Sequence, residues 1–190
     1  MKALILDGGR EGDDLTAIAV AGMTSALAAR GAAVESVPLR DRDIAPCAGC
    51  FGCWTKTPGE CVIGDGTRAI LRSYVCADLV VCATPVTFGG YSSDLKKLID
   101  RLIPVLDPRF VVAGGEVHHR LRYRRYPKTI IVGTLPSPDP EAERVFARLA
   151  AQRSLNPRGT PVATVMIGVA DPGSARRSAE SLLDRAETPG

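Results

Sequence analysis

Short apolar runs alternate with segments of helical periodicity along this chain, and this alternation limits the folds that it can adopt. The apolar runs that predict buried strands are residues 2–7, 33–38, 78–86, 129–133 and 161–169. The segments that predict helices are residues 14–30, 67–77, 92–102 and 140–152, with a further helical period from Asp171 onward. Strands that alternate with helices predict a parallel sheet covered by helices on both faces.

The order of these elements favours a doubly wound, five-stranded α/β fold with strand order 2-1-3-4-5. Ligands bind such sheets at the carboxyl ends of strands one and three, where the strand order reverses. The segments with the most unusual composition, 8–16, 41–66 and 84–91, all follow strands at that edge. This coincidence indicates a cofactor-binding enzyme.

Composition and charge exclude several classes of protein. The 190 residues are 45% hydrophobic and 24% charged, which suits one globular domain with an ordinary core. No apolar run reaches the ~18 residues that a membrane span needs, and the start, MKALILDGG, lacks the features of a signal peptide. We therefore expect a cytoplasmic protein without a membrane partner. The net charge of +3 is too small to predict nucleic-acid binding.

Four of the six cysteines lie in one loop with the spacing C-x2-C-x2-C-x7-C; they are Cys47, Cys50, Cys53 and Cys61. In a reducing cytoplasm, clustered thiols more often bind metal or act in redox chemistry than form disulfides. Similar runs hold [4Fe–4S] clusters in bacterial ferredoxins, whereas structural zinc prefers two separated pairs. Two interpretations stay open: the four thiols ligate a [4Fe–4S] cluster, or the loop is metal-free and its thiols pack or sense redox state. Trp54, after the third cysteine, either covers such a centre or anchors the loop.

The cysteine loop, the segment TPVTFGGYSSDLKKLIDR and the glycine turn after the first strand together resemble the flavodoxin-like NAD(P)H-dependent FMN reductase superfamily. Within it, the chain is most similar to the iron–sulfur flavoproteins and their cluster-free relatives. The resemblance covers most of residues 1–104, and the strand order continues it to about residue 170. It implies an FMN-dependent oxidoreductase linked to NAD(P)H. It also implies a homodimer or homotetramer.

Under this resemblance the chain divides into a flavodoxin-like domain at 1–170 and a partly helical tail at 171–190. The domain contains a cysteine-rich loop at 39–66 and a basic insertion at 105–128, which we expect to be irregular.

The resemblance also implies which residues contact FMN. The loop that lines its isoalloxazine ring matches Pro85, Val86, Thr87, Phe88, Gly89, Gly90 and Tyr91. The residue types agree, because Gly89 and Gly90 let the backbone approach a flat ring while Phe88 or Tyr91 can lie against it. The alternative is an ordinary turn from strand to helix.

The expected phosphate turn, GGREGDDLT, departs from the family pattern, which usually carries hydroxyl side chains there. Gly9, Arg10 and Thr16 are compatible with phosphate, which helix N-termini favour. Asp13 and Asp14 oppose an anion at that helix end. Either Arg10 offsets them, or FMN binds weakly, or the acidic pair caps the helix and the cofactor is lost.

Basic and aromatic side chains are concentrated at residues 118–126, with the sequence HHRLRYRRY. Four roles are open for this segment. It is a lid over the flavin, a clamp for an anionic substrate or NADPH phosphate, a partner-binding arm, or a segment that packs in a dimer with its charges facing water. Arg120 and Arg122 are the candidates for the NADPH phosphate. Two other functions remain open for the whole chain, namely a flavin-free accessory or partner-binding protein and a thiol redox sensor.

Overall fold

A computed structural model describes residues 1–113, 115–151, 162–168 and 171–187 of the chain. The strands are β1 Lys2–Asp7, β2 Ala33–Pro38, β3 Leu79–Pro85, β4 Leu106–Ala113, β5 Glu116–Leu121, β6 Lys128–Leu135 and β7 Val162–Ile167. The α-helices are α1 Asp14–Ala29, α2 Gly52–Thr55, α3 Thr67–Cys76, α4 Ser93–Asp100, α5 Pro140–Ala151 and α6 Pro172–Glu187. Short 3-10 turns span Leu39–Asp41 and Ile103–Val105. Residues 152, 161, 169 and 188–190, included in the predicted elements, lie outside the described residues.

Five strands form one parallel sheet in the order β2-β1-β3-β6-β7. The predicted fold class and strand order are confirmed, with β6 and β7 as the predicted fourth and fifth strands. The crossover from β2 to β3 passes over β1, so the order reverses between β1 and β3. The register there pairs Asp7 with Ala83, which places the ends of both strands at one edge.

Helices cover both faces of the sheet, as predicted. On one face, Leu4 and Leu6 of β1 pack with buried side chains of α3, α4 and α5. On the other face, Ala3 and Ile5 pack with α1 and α6. Because β1 is buried on both sides, its sequence is continuously apolar rather than alternating.

Helix α6, at the position of the expected partly helical tail, belongs to the core. Ala175, Ala179, Leu182 and Leu183 are all buried in the cluster that includes α1. The two helices approach so closely that a Cβ at Gly22 would lie 2.7 Å from the Cβ of Ala175. A glycine in the middle of α1 therefore allows this packing.

The basic insertion is ordered as an antiparallel hairpin of β4 and β5, so the prediction of an irregular segment is wrong. The hairpin is separate from the main sheet. Two-stranded hairpins are marginally stable alone. Two side chains stabilise this hairpin at its base. Arg122 donates from Nε and Nη2 to the carbonyl of Leu106 at 3.2 and 3.1 Å, and the Tyr126 hydroxyl donates to the carbonyl of Val105.

None of the helices in the described part of the chain has the length and apolar character that a bilayer crossing requires.

Candidate functional site

Two turns meet at the carboxyl edge of the sheet, one after β1 and one after β3. The N–H of Gly8 donates to the carbonyl of Ala83 at 2.8 Å, which joins the first turn to β3. Ser92, at the end of the second turn, donates its N–H to Thr84 Oγ1 at 2.9 Å and caps α4. The parallel pairing of β1 and β3 thus places both segments side by side.

The turn after β1 is organised by a carboxylate that sequence analysis did not single out. Asp7 is buried at the end of β1, and its Oδ1 accepts the Gly9 N–H at 2.8 Å. Its Oδ2 accepts from Arg40 Nη1 at 3.2 Å. The sequence signal for this role was an acidic residue at the end of an otherwise apolar strand.

The two acidic residues at the start of α1, Asp13 and Asp14, have different roles. Asp13 is the N-cap, and its Oδ1 accepts the Thr16 N–H at 3.1 Å. Asp14 is exposed in the first turn. Of the alternatives left open for this pair, helix capping therefore describes Asp13. Both carboxylates still place negative charge at the end of α1 where a phosphate would bind.

Two of the three residues predicted to contact phosphate are occupied by contacts within the protein. The Thr16 side chain is fully buried, and its Oγ1 lies 2.7 Å from Thr134 Oγ1. The Gly9 N–H is bonded to Asp7. Arg10 is exposed, and in the described part of the chain the N–H groups of residues 10–12 meet no acceptor. An anion at this turn would therefore be held by backbone N–H groups and Arg10, not by a threonine hydroxyl.

The loop after β3 forms a tight turn with an aromatic residue at its tip. Thr87 and Gly90 exchange backbone hydrogen bonds at 3.0 and 2.8 Å. The residues between them both have positive φ, 51° at Phe88 and 71° at Gly89, which is typical of a type I′ turn. The Phe88 side chain is fully exposed, at 104%.

A phenylalanine in the left-handed region costs about 1–2 kcal/mol, and residues strained in this way concentrate at ligand sites. Gly89 is required at the next position, since a Cβ there would lie 2.6 Å from Val145 Cγ1 on α5.

Tyr91, the other aromatic candidate for the flavin, belongs to the core. It is 9% exposed and packs edge-on against Phe146, with ring centroids 5.7 Å apart. Pro85, Val86, Thr87 and Gly90 are partly buried around the turn. Phe88 is therefore the aromatic side chain of this loop that a flat ligand can contact.

The four cysteines of the loop line one pocket, which we call the Cys pocket. The pocket is partly open to solvent. Its other lining residues are Ala48, Gly49, Phe51, Ile63, Asp100, Arg101, Ile103 and Pro104. Burial raises the pKa of the Cys53 thiol, and the charges of Cys61, Cys47 and Cys50 raise it further. The four thiols are therefore near enough to influence one another electrostatically.

The cysteine loop supplies four thiols but no preformed site for a single metal ion. In the described residues, no group of three His, Cys, Asp or Glu side chains is placed to hold one metal ion. A [4Fe–4S] cluster needs a wider arrangement, because each of its four thiolates binds a separate iron atom. Four thiols distributed around one pocket match that donor set.

A buried ion pair fixes both ends of the cysteine loop. Arg101 donates to the two carboxylate oxygens of Asp65 at 2.9 and 3.1 Å. Asp65 also accepts the N–H groups of Ala45 and Thr67, each at 3.0 Å. Burial alone would raise the pKa of Asp65, but these hydrogen bonds, Arg101 first, hold it well below its usual range.

Sequence analysis missed this ion pair. The signal was a charged residue three positions after Leu98, directly after the end of α4 and in line with its buried face.

Trp54 anchors the cysteine loop to the hairpin. Its Nε1 donates to the carbonyls of Ile103 and Leu106 at 3.2 and 3.1 Å. Its ring stacks on Phe51 at 5.2 Å and contacts His119 at 5.0 Å between centroids. Of the two roles predicted for Trp54, the structure shows anchoring. In the basic segment, the guanidinium of Arg122 is engaged at Leu106, while Arg120 is exposed.

A family model for NADPH-dependent FMN reductases matches residues 1–126, more than half of the chain. The chain belongs to the NADPH-dependent FMN reductase family. The predicted resemblance is thereby confirmed.

Among curated relatives of this reductase-family chain, an iron–sulfur flavoprotein of Methanocaldococcus jannaschii is 35% identical over 105 residues. The match covers 55% of this chain and 53% of that protein, so it spans about half of the relative's length. An NAD(P)H:quinone oxidoreductase of Methanothermobacter marburgensis has a TM-score of 0.65 at 13% identity, covering 100% of this chain and 96% of that chain. An FMN-dependent NADH-azoreductase of Bacillus anthracis, solved in complex with FMN, has a TM-score of 0.63 at 15% identity, with 97% of each chain covered. These two structures show that the fold is shared.

Proposed function

We propose that this protein is an FMN-dependent oxidoreductase that takes electrons from NADH or NADPH and passes them to an acceptor. The observation that carries the proposal is the pair of turns at the reversal point of the sheet. One turn offers backbone N–H groups beside Arg10, and the other exposes the ring of Phe88. Membership of the NADPH-dependent FMN reductase family supports the same function.

The residues present fit FMN at both of its ends. The turn at residues 10–12 lies at the N-terminal end of α1, where unbonded N–H groups and the helix dipole favour phosphate. The turn at residues 85–90 brings backbone and the Phe88 ring to the same edge of the sheet. When bound, FMN supplies the redox chemistry by accepting a hydride and giving two electrons to an acceptor. The side chains of this site bind and orient, and we assign none of them as a general acid or base.

The experiment is an FMN titration of anaerobically purified protein, followed by measurement of NADH and NADPH oxidation with a quinone as acceptor. Arg10→Gln should weaken FMN binding, because it removes the exposed cation of the phosphate turn. Arg185→Gln, in the last turn of α6, removes an exposed cation elsewhere and should leave binding unchanged. A folded wild-type protein that is colourless and does not bind added FMN would overturn the proposal and favour a flavin-free partner-binding protein.

We propose further that the Cys pocket holds a [4Fe–4S] cluster ligated by Cys47, Cys50, Cys53 and Cys61. The shared lining of one pocket by all four thiols supports this donor set, and the M. jannaschii relative is named an iron–sulfur flavoprotein. A bound cluster transfers single electrons. Iron and acid-labile sulfide, measured on anaerobically purified protein, test the proposal.

Cys50→Ser should lose iron and sulfide, while Cys76→Ser, an exposed cysteine outside the loop, should keep both. If the wild-type protein contains neither iron nor sulfide, the cysteine loop is metal-free and the redox-sensor interpretation replaces the cluster.

A homodimer or homotetramer is the assembly that we propose. The hairpin supports it, since Phe110, Val112 and Val117 are 66%, 75% and 68% exposed. Apolar side chains grouped in this way are typical of surfaces that another chain covers. Light scattering coupled to size-exclusion chromatography tests the assembly, and a monomeric mass at micromolar concentration would overturn it.

A further inference from the structure

Arg101 is a fully buried cation in the wall of the Cys pocket. Its side chain is 1% exposed, and it lines the pocket together with all four cysteines of the loop. Burial of a guanidinium costs free energy unless its charge and its N–H groups are compensated. Asp65 compensates part of this cost, because it accepts from Nη1 and Nη2.

The compensation of Arg101 is incomplete at one atom. Its Nη1 donates to Ala45 as well as to Asp65, at 2.7 Å from the carbonyl oxygen. The Nε–H, in contrast, is buried and has no hydrogen-bond acceptor among the residues that the structure describes. Buried donors are rarely left unpaired in folded proteins. An acceptor that is not a protein group of the described residues is therefore expected beside Arg101.

The pocket itself indicates the chemistry of that acceptor. Asp65 is not among the lining residues, whereas Arg101 and the cysteines are. A sulfur-ligated anionic group in the pocket would therefore meet a cation that is already in place.

We propose that Arg101 is the positioning and charge-compensating residue of the iron–sulfur site, and that it donates its Nε–H to a sulfur of the cluster. This inference rests on the proposed cluster. One-electron reduction makes the cluster one charge more negative, so a neighbouring cation and an N–H···S hydrogen bond stabilise the reduced form and raise the reduction potential. Through Ala45 and Asp65, the same guanidinium also holds the segments before and after the cysteines.

The test is an anaerobic redox titration of the cluster, followed by electron paramagnetic resonance, in three variants with iron content and melting temperature measured in parallel. Arg101→Gln alone leaves Asp65 as an unpaired buried charge and destabilises the fold for that reason. The informative variants are therefore the double variant Arg101→Gln/Asp65→Asn, which removes both charges, and Asp65→Asn, which keeps the cation together with an amide oxygen that can still accept from it. Arg101→Lys keeps the charge but loses the Nε–H and the planar fork.

The expected order of potentials is Asp65→Asn highest, wild type next and the double variant lowest, with Arg101→Lys between the wild type and the double variant. If the double variant loses its iron, the sign of the Asp65→Asn shift decides, because an unchanged or lower potential there contradicts the proposal. Equal potentials in all iron-containing variants would reduce Arg101 to a structural partner of Asp65. A wild-type protein without iron would instead remove the cluster itself, an outcome that elemental analysis distinguishes from the first.

Discussion

The hydroxyl oxygens of Thr16 on α1 and Thr134 on β6 lie 2.7 Å apart in the core, 118 residues apart in sequence. Thr134 Oγ1 is also 3.4 Å from the carbonyl oxygen of Thr84. This contact ties the start of α1 to the edge of the sheet below the candidate phosphate turn. It leaves the backbone N–H groups and Arg10 to meet an anion.

Replacement of Thr16 should therefore affect stability more than FMN binding. Thr16→Val keeps the shape of the side chain but leaves Thr134 without this partner, which should lower the free energy of unfolding by about 0.5–1.5 kcal/mol. The FMN dissociation constant should change by less than about twofold, well under 1 kcal/mol. Urea denaturation and a fluorescence titration of FMN measure the two effects. A large loss of FMN affinity without a loss of stability would mean that Thr16 contacts FMN directly.

The acidic pair at the start of α1 should oppose FMN binding. In Asp13→Ser/Asp14→Ser, serine keeps the cap on α1 while two negative charges leave the helix N-terminus. Each charge there is worth a few tenths to about 1 kcal/mol, so FMN should bind about threefold to tenfold more tightly. Isothermal titration calorimetry measures the change.

A control for that pair is Glu180→Gln on α6, which removes a carboxylate whose ion-pair partner, Arg176, lies on the same helix. Its FMN affinity should equal that of the wild type. Unchanged or weaker binding in the Asp13 and Asp14 variant would mean that these carboxylates do not face the phosphate.

The main sheet could be predicted from the sequence because its signals are local. Strand β3 is a continuous apolar run, and Ser92 stands at the cap of α4 next to a clear helical period. The hairpin was not predicted, because the analysis of this segment rested on its basic residues and not on its turn residues. The sequence VVAGGEV places a Gly-Gly pair between β-branched residues, which is typical of a tight hairpin turn.

The candidate site was harder to predict, since its contacts join distant residues. The ion pair of Asp65 and Arg101 spans 36 positions, and only the tertiary fold brings the two together. The left-handed backbone at Phe88 could not be expected either, because phenylalanine rarely adopts it. Residues that break local preferences in this way are the ones most often kept for function.

Replacement of Phe88 should stabilise the fold and weaken FMN binding. Phe88→Gly relieves the positive φ and loses no buried area, so the free energy of unfolding should rise by about 1 kcal/mol. FMN affinity should fall, because the exposed ring is lost from the edge of the sheet. Thermal denaturation and FMN titration give the two numbers.

A suitable control for Phe88 is Phe110→Ala, which removes another exposed aromatic ring from a residue with ordinary backbone. It should leave FMN affinity unchanged. If Phe88→Gly binds FMN as tightly as the wild type, the ring does not contact the flavin and the strain at this turn needs another explanation.

Asp65 should make the stability of the protein acid-sensitive. Its pKa is lowered in the folded state, so its contribution is fully present above the unfolded value of about 3.9 and is lost as the pH falls through the folded value. Below about pH 4, the free energy of unfolding of the wild type should therefore fall more steeply than that of Asp65→Asn. Urea denaturation at several pH values between 5 and 2.5, buffered at constant ionic strength, measures the slopes. Parallel curves would show that Arg101 does not bind the Asp65 carboxylate in solution.

The two arginines proposed for the NADPH phosphate should separate into different roles. Arg120 is exposed on β5, so Arg120→Ala should raise the KM for NADPH and leave both kcat and the KM for NADH near their wild-type values. Arg122 is bonded to the Leu106 carbonyl through two N–H groups, so Arg122→Ala should lower the melting temperature instead. The comparison of NADH with NADPH isolates the phosphate, because the two donors differ only there. An unchanged KM for NADPH in Arg120→Ala would exclude this arginine as the phosphate clamp. Subunit assembly would then be the remaining proposed role of the hairpin.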